Sequence, residues 1–356
     1  MREITLVTGA TGFIGSHLIR QLVAGGSYVR VFVRRPEALD PSLRPRLHIA
    51  QGDIRDREAL TAAVRGATTV LHLAACARAW TADAAEFEEV NVRAVECLLA
   101  AARRYRVRRL VHVSTALTRP AGAGTAPLTR PAAGEIEQAG PGRALTLYER
   151  TKLEGERRVE AYAKEGRHAA IVHPTRVYGP GPLNDANGVT KVIAFYLSGR
   201  FRVRIADRDV RANYVHAADV ARGIRLAAEL SGTGAHYILG GDTNLSFRDF
   251  LELIAELSGV RRRVVPIPPA VALAVAHAAR AWGRVGGRVS ITPGWVRVFL
   301  EDRPVDISAA RSEIGYRPRD LRDGLRETIA WLRARRQALP EGALLPASTH
   351  GRESAA

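Results

Sequence analysis

Tyr148 and Lys152 stand four residues apart in the run Tyr148-Glu149-Arg150-Thr151-Lys152. On a helix, positions i and i+4 share one face, so a phenol and an ammonium would converge. A neighbouring cation stabilises phenolate and draws the phenol from its usual pKa of about 10 towards the range of a working general acid. A second source of hydroxyls, Val113-Ser114-Thr115, closes an apolar run. A hydroxyl at a strand end points into a cleft and can hydrogen-bond a substrate oxygen, a task for which Ser114 and Thr115 are equally equipped.

These groups need a scaffold, and the N-terminus supplies one in Thr8-Gly9-Ala10-Thr11-Gly12-Phe13-Ile14-Gly15. An apolar strand pattern precedes the glycines and a helical pattern follows, the context in which such a turn binds a dinucleotide. Gly9 permits the tight turn, Gly12 lets the backbone approach a pyrophosphate, and Gly15 lets the helix pack close to the sheet. Free amides at the helix start then face the phosphates. NAD or NADP is the expected cofactor. The second apolar run ends in Arg34 and Arg35, where an NAD site usually places an acid for the ribose 2′-hydroxyl. A guanidinium there suits a 2′-phosphate, so NADP(H) is favoured and NAD(H) is the second choice. Asp53, in Gly52-Asp53-Ile54, can accept from an adenine amino group or cap the following helix. Asn91 interrupts an apolar-periodic segment, either to tie loops beneath the cofactor or to lie exposed.

Stepping out to the elements, strand patterns occupy Ile4–Val7, Val29–Val33, Leu47–Gln51, Thr69–Leu73, Arg109–Val113 and Ala169–His173. Helical patterns lie between them at Phe13–Ala24, Arg57–Val64, Phe87–Arg103 and Tyr148–Glu165. Such alternation predicts an α/β fold: a Rossmann-type doubly wound parallel sheet, with right-handed crossovers. Residues 118–146 read as a long Gly/Pro-rich loop after a strand end, where ligands bind. Beyond Tyr178-Gly179-Pro180-Gly181-Pro182 the rhythm shortens, with helices expected at Asp219–Glu229, Phe247–Ser258 and from about Ala270. The expected division is a dinucleotide-binding domain over 1–175, a smaller mixed α/β substrate domain over 176–335 interleaved with the sheet, and a disordered tail over 337–356.

Composition excludes other classes. The net charge is +17, but only Lys152, Lys164 and Lys191 among the 53 basic residues are lysines, and the arginines are scattered. Without an aromatic–basic signature this reads as a basic surface rather than a nucleic-acid site. Cys76 and Cys97 lack metal or disulfide spacing and are expected as buried thiols in a cytoplasmic protein, with no metal site. The apolar stretch Pro266–Trp282 is too short and interrupted for the about 20 residues of a membrane span, which leaves docking on a membrane surface open.

Taken together, the residues resemble the extended short-chain dehydrogenase/reductase family, in its dihydroflavonol-reductase-like and 3β-hydroxysteroid-dehydrogenase-like branch. The resemblance covers about residues 1–335. Besides the motifs above, it rests on His72-Leu73-Ala74-Ala75, Asn91-Val92, Pro174-Thr175-Arg176-Val177-Tyr178-Gly179-Pro180-Gly181 and Asn213-Tyr214-Val215-His216-Ala217-Ala218-Asp219-Val220. It implies that Thr115 rather than Ser114 is the catalytic hydroxyl, that Tyr148 is the proton donor, that Lys152 holds the ribose and tunes Tyr148, and that Asn91 organises a proton relay. It also implies cofactor contacts from the glycine turn (Thr11, Phe13 and Ile14 included), Arg34, Arg35, Asp53, Ile54, Leu73, Ala74, Ala75, Ser114, Pro174, Thr175 and Val177. Ala116, Asn184 and Tyr214 fall to the substrate, while His216 is expected as a structural histidine. Family members often dimerise through two helices each, here Phe87–Arg103 and Tyr148–Glu165.

The expected activity is reduction of a ketone or aldehyde small molecule, or the reverse oxidation. The alternatives are a nucleotide-sugar epimerase or dehydratase with tightly held NAD(P), and a non-catalytic cofactor sensor. Ala116 and Leu117 stand where the family's sugar dehydratases carry an acid after the catalytic hydroxyl, and Arg34 stands near where its epimerases carry one. Both observations favour the reductase, and the intact Tyr148/Lys152 pair argues against a sensor.

Overall fold

The structure, a computed structural model, describes residues 3–78, 83–119, 146–206, 210–284 and 292–337. The loop expected over 118–146 and the tail over 337–356 lie almost wholly outside the described residues.

The chain opens with β1 (Ile4–Thr8), α1 (Phe13–Ala24), β2 (Tyr28–Val33), β3 (His48–Gln51), α2 (Arg57–Val64) and β4 (Thr69–His72). The helix expected at Phe87–Arg103 is divided into α3 (Ala85–Glu88), a π-helical turn at Glu89–Arg93 and α4 (Ala94–Arg104). Then come β5 (Arg109–Val113), α5 (Leu147–Lys164), β6 (Ala169–Pro174), β7 (Arg176–Tyr178) and α6 (Gly188–Ser198). The second half continues with β8 (Val203–Ile205), β9 (Arg211–His216), α7 (Ala217–Leu230), β10 (Ala235–Leu239), β11 (Asn244–Ser246) and α8 (Phe247–Ser258). It ends with β12 (Val265–Ile267), α9 (Pro269–Arg284), α10 (Pro293–Phe299), α11 (Ser308–Ile314) and α12 (Leu321–Gln337).

Among the described residues the main sheet has seven strands in the order β10-β6-β5-β4-β1-β2-β3, all parallel. Its central strands are apolar on both faces because helices cover both. One face packs α1, α7 and α11 through Leu18, Ile224 and Ile314, and the other packs α2, α4 and α5 through Leu60, Leu98 and Val159. Each such fully buried aliphatic side chain contributes about 1.5–3 kcal/mol. The doubly wound parallel sheet is thus borne out. Its seventh strand, β10, comes from the second half of the chain and pairs with β6. A separate core, built around Tyr214, Phe250 and Leu325, joins α6, β9, α8 and α12 beside the sheet. No helix among the described residues is long and apolar enough to cross a membrane.

Candidate active site

The glycine turn sits between β1 and α1 as expected. Gly9 has a φ of 73°, and a Cβ there would lie 2.7 Å from the amide nitrogen of Ala74. A Cβ on Gly15 would strike the Gly9 carbonyl. The turn is therefore shaped by absent side chains, and the end of β4 presses against it. Thr8 fixes that approach: its Oγ1 accepts from the amides of Leu73 and Ala74 at 3.2 Å and lies 2.8 Å from His72 Nδ1. The N-cap of α1 is Gly12, with no side-chain cap and no acid in the first turn. A helix start left in this state suits a phosphate, so the cradle fits a dinucleotide.

Arg34 leaves the end of β2 with its side chain 58% exposed, and its Nη1 comes 3.8 Å from Asp53. Asp53 is engaged mainly by Arg55, whose hydrogen bonds hold the carboxyl below its usual range. The cap of α2 is Asp56, not Asp53. Asn91 is buried in the π-helical turn. Its Oδ1 accepts from the Cys76 amide at 2.9 Å, and its Nδ2 donates to the Cys76 carbonyl and to Thr151 Oγ1. It therefore ties the loop after β4 to α5, the first of the two roles open to it.

The start of α5 is set by a capping box between Thr146 and Glu149. The half-buried Tyr148 ring lies against the cluster of Cys76, Phe87 and Val90, and its hydroxyl hydrogen-bonds Thr115. Lys152 Nζ donates to the Val113 carbonyl at 2.8 Å and lies 3.5 Å from His112 Nε2. Here the structure departs from expectation. Burial pushes the Tyr148 phenol up to about 12 rather than down, and burial brings Lys152 down to about 8, with Glu156 opposing. The reason is that the ammonium rests on a β5 carbonyl, so for both groups desolvation outweighs attraction.

Ser114 and Thr115 are separated by the pleat. Thr115 reaches Tyr148, whereas the Ser114 hydroxyl donates to the buried carboxylate of Glu156. The side chain of Ser114 is thus spent inside the fold. Glu156 also takes the Arg119 guanidinium. Beside it, the Nε2 of His173 and the Nδ1 of His236 lie 3.1 Å apart on stacked rings, and His173 Nδ1 faces the Thr115 carbonyl at 3.3 Å. Glu156, His173 and His236 gather as three possible metal ligands, but their polar atoms already serve one another and Arg119. Sequence reasoning missed this network. Its signal was available, because Glu156 and Glu160 extend the Tyr148–Lys152 spacing by two further steps of four.

Other expected contacts divide. Ala116 starts the short turn that Thr115 caps, beside the phenol. Asn184 caps a short turn by accepting from the Ala186 amide, and Thr175 Oγ1 donates to Asn213. Pro174 ends β6, and Val177 packs on the core. Tyr214 is a correction: it is buried and stacked on Phe250 with ring centroids 4.0 Å apart, so it is a core residue of the smaller unit. His216 caps α7 through Nδ1, as a structural histidine should.

The family model described as "NAD dependent epimerase/dehydratase family" matches residues 5–240. The chain belongs to that family. An extended short-chain dehydrogenase/reductase enzyme, expected from the motifs, is what the family comprises. Within it, the chain is 31% identical to sterol demethylase protein B of Methylococcus capsulatus, over 93% of this chain and 98% of that protein. It is also 31% identical to a 4-hydroxy-2-methyl-3-oxo-4-farnesyl-3,4-dihydroquinoline-1-oxide ketoreductase of Stigmatella aurantiaca, over 88% and 91%. Among solved structures, a dTDP-glucose 4,6-dehydratase of Streptomyces venezuelae with NAD bound superposes with a TM-score of 0.73 at 26% identity, over 95% of this chain and 99% of that one.

Proposed function

We propose that this chain is an NADP(H)-dependent oxidoreductase that reduces a ketone or aldehyde, or oxidises the corresponding alcohol. The observation that carries the reading is the hydrogen bond between Thr115 and Tyr148, with Lys152 one turn further along the helix on the Val113 carbonyl, at the same end of the parallel sheet as the glycine turn. The dinucleotide, held by the α1 start, Arg34 and Lys152, would supply or accept a hydride. Thr115 orients the substrate oxygen through its hydroxyl. Tyr148 gives that oxygen a proton on reduction and takes it back on oxidation. With a pKa near 12 the phenol keeps its proton at neutral pH, which suits an acid in the reducing direction. Lys152 is poised near 8, so it can be charged when it meets ribose hydroxyls and the phenol. Asn91 holds the β4 loop against α5 and so keeps the floor of the site in place.

The ketoreductase relative supports the reaction class. The NAD-bound dehydratase supports a second reading, a nucleotide-sugar epimerase or dehydratase with tightly held NAD(P). Ala116 and Leu117 after Thr115, and Arg34 and Arg35 after β2, weigh against it. An NADPH-oxidation screen over ketones, aldehydes and nucleotide sugars separates the two. In the first case NADPH is consumed stoichiometrically; in the second a sugar is converted without net consumption. Tyr148→Phe should lower turnover about 10²–10⁴-fold while NADPH still binds. Retained turnover removes Tyr148 as the acid.

A further inference from the structure

The helix α9 packs an inner face of small residues, Ala272 and Ala276, on Val296 of α10. Its outer face carries Val271, Ala274, Val275, Ala278, Ala281 and Trp282, all exposed, with Trp282 at 66%. The small parallel pair β8 and β12 packs Ile205 and Ile267 against the same cluster, and its register partners Val203 and Val265 are both exposed. Exposed apolar side chains gathered on one helix face, beside a strand pair that shares its core cluster, mark a docking face.

The surrounding charge says what it fits. From residue 257 to residue 300 the sequence holds seven arginines and no aspartate or glutamate. Arg261, Arg262, Arg263, Arg280 and Arg297 are exposed. Elsewhere on the surface arginines sit beside acids, as Arg103 does with Glu165 and Arg158 with Glu96. We propose that α9 and its arginines form a docking surface for an anionic lipid bilayer, with the helix lying in the interface plane. The apolar face enters the acyl boundary, Trp282 sits at headgroup depth, and the guanidiniums reach lipid phosphates. A nucleic acid would satisfy the arginines but leave the valines and Trp282 in water. A second copy paired through this face would bring two arginine-rich segments without acids of their own together.

The surface adjoins the site. Gly294, at the start of α10, packs against Thr146, the cap of the helix that carries Tyr148. Resting on the oxidoreductase reading, the substrate is then an apolar carbonyl compound drawn from the bilayer; membrane binding itself does not depend on that reading.

The test is sedimentation of the full chain with vesicles of phosphatidylcholine alone and of phosphatidylcholine mixed with phosphatidylglycerol, together with light scattering. Binding to the anionic vesicles is expected, weakened by salt and weakened about tenfold or more in V275D/W282D. Both replaced side chains are exposed, and circular dichroism checks that the variant stays folded. Three results overturn the proposal. The wild type fails to bind anionic vesicles at low salt; or the variant binds as well as the wild type, showing adsorption of a basic protein; or the variant converts a solution dimer into monomer, showing a copy–copy interface. Turnover is assayed separately, so a failed oxidoreductase reading leaves the vesicle result intact.

Discussion

At the scale of a residue, the proposed preference for NADP(H) turns on Arg34. Its guanidinium stands at the mouth of the β2 end, and its nearest acid, Asp53, is already taken up by Arg55. A 2′-phosphate placed there gains charge-assisted hydrogen bonds, each contributing about 1.5–3 kcal/mol. Arg34→Ala should therefore weaken NADPH about tenfold to a hundredfold and NADH hardly at all, as read by titrating each against the protein's fluorescence. Equal loss with both cofactors would mean that Arg34 is one more surface arginine. Thr115 was legible from its motif, but the fate of Ser114 was not, since Glu156 reaches it across 42 residues of sequence. Tyr214 misled for the opposite reason. A polar aromatic inside a matched motif looks like a site residue, and only the stacking on Phe250 shows that it is core.

At the scale of an element, α5 explains most of the site. One stripe of this helix carries Tyr148, Lys152, Glu156 and Glu160 onto the sheet, where strand alternation brings His112, His173 and His236 up to meet them. The local patterns of α1, α2 and α8 were legible because each is amphipathic with a clear start. The π-helical turn was not, because it inserts an irregularity into an otherwise continuous pattern, and Asn91 alone hinted at it. The strand β10 was also missed, since its partner β6 lies more than 60 residues earlier. The stripe makes a prediction. Glu156 is the charge that opposes the desolvation of Lys152, so Glu156→Gln should carry Lys152 further below about 8. If Lys152 works as the cation, the alkaline limb of the kcat/KM profile moves to lower pH. A purely structural role for Glu156 would lower the rate at every pH and leave the limb where it was.

At the scale of the whole molecule, the fold has committed several histidines to the neutral form. Burial brings His72, His216 and His236 down to about 3, and it holds His112 and His173 well below the usual value of 6.5. Four of these lie on adjacent strands of the main sheet, and His216 caps α7 through Nδ1 while its buried Nε2 has no hydrogen-bond partner among the described residues. Unfolding returns each ring to water, where it takes up a proton below pH 6.5. The unfolded chain therefore binds more protons than the native one between about pH 6.5 and pH 3, and stability falls as pH falls through that window. Each histidine adds a slope of up to about 1.4 kcal/mol per pH unit there. Asp53, whose carboxyl is held below its usual 3.8, keeps its contribution until the pH falls below about 4, so it does not confound the upper part of the window. Melting temperature followed by circular dichroism should be nearly level around pH 7, below the Lys152 window, and drop steeply towards pH 5. His236→Gln should flatten that drop, because one of the rings that must charge has gone. A melting temperature that stays level down to pH 5 would show that these rings are not neutral and buried in the native protein.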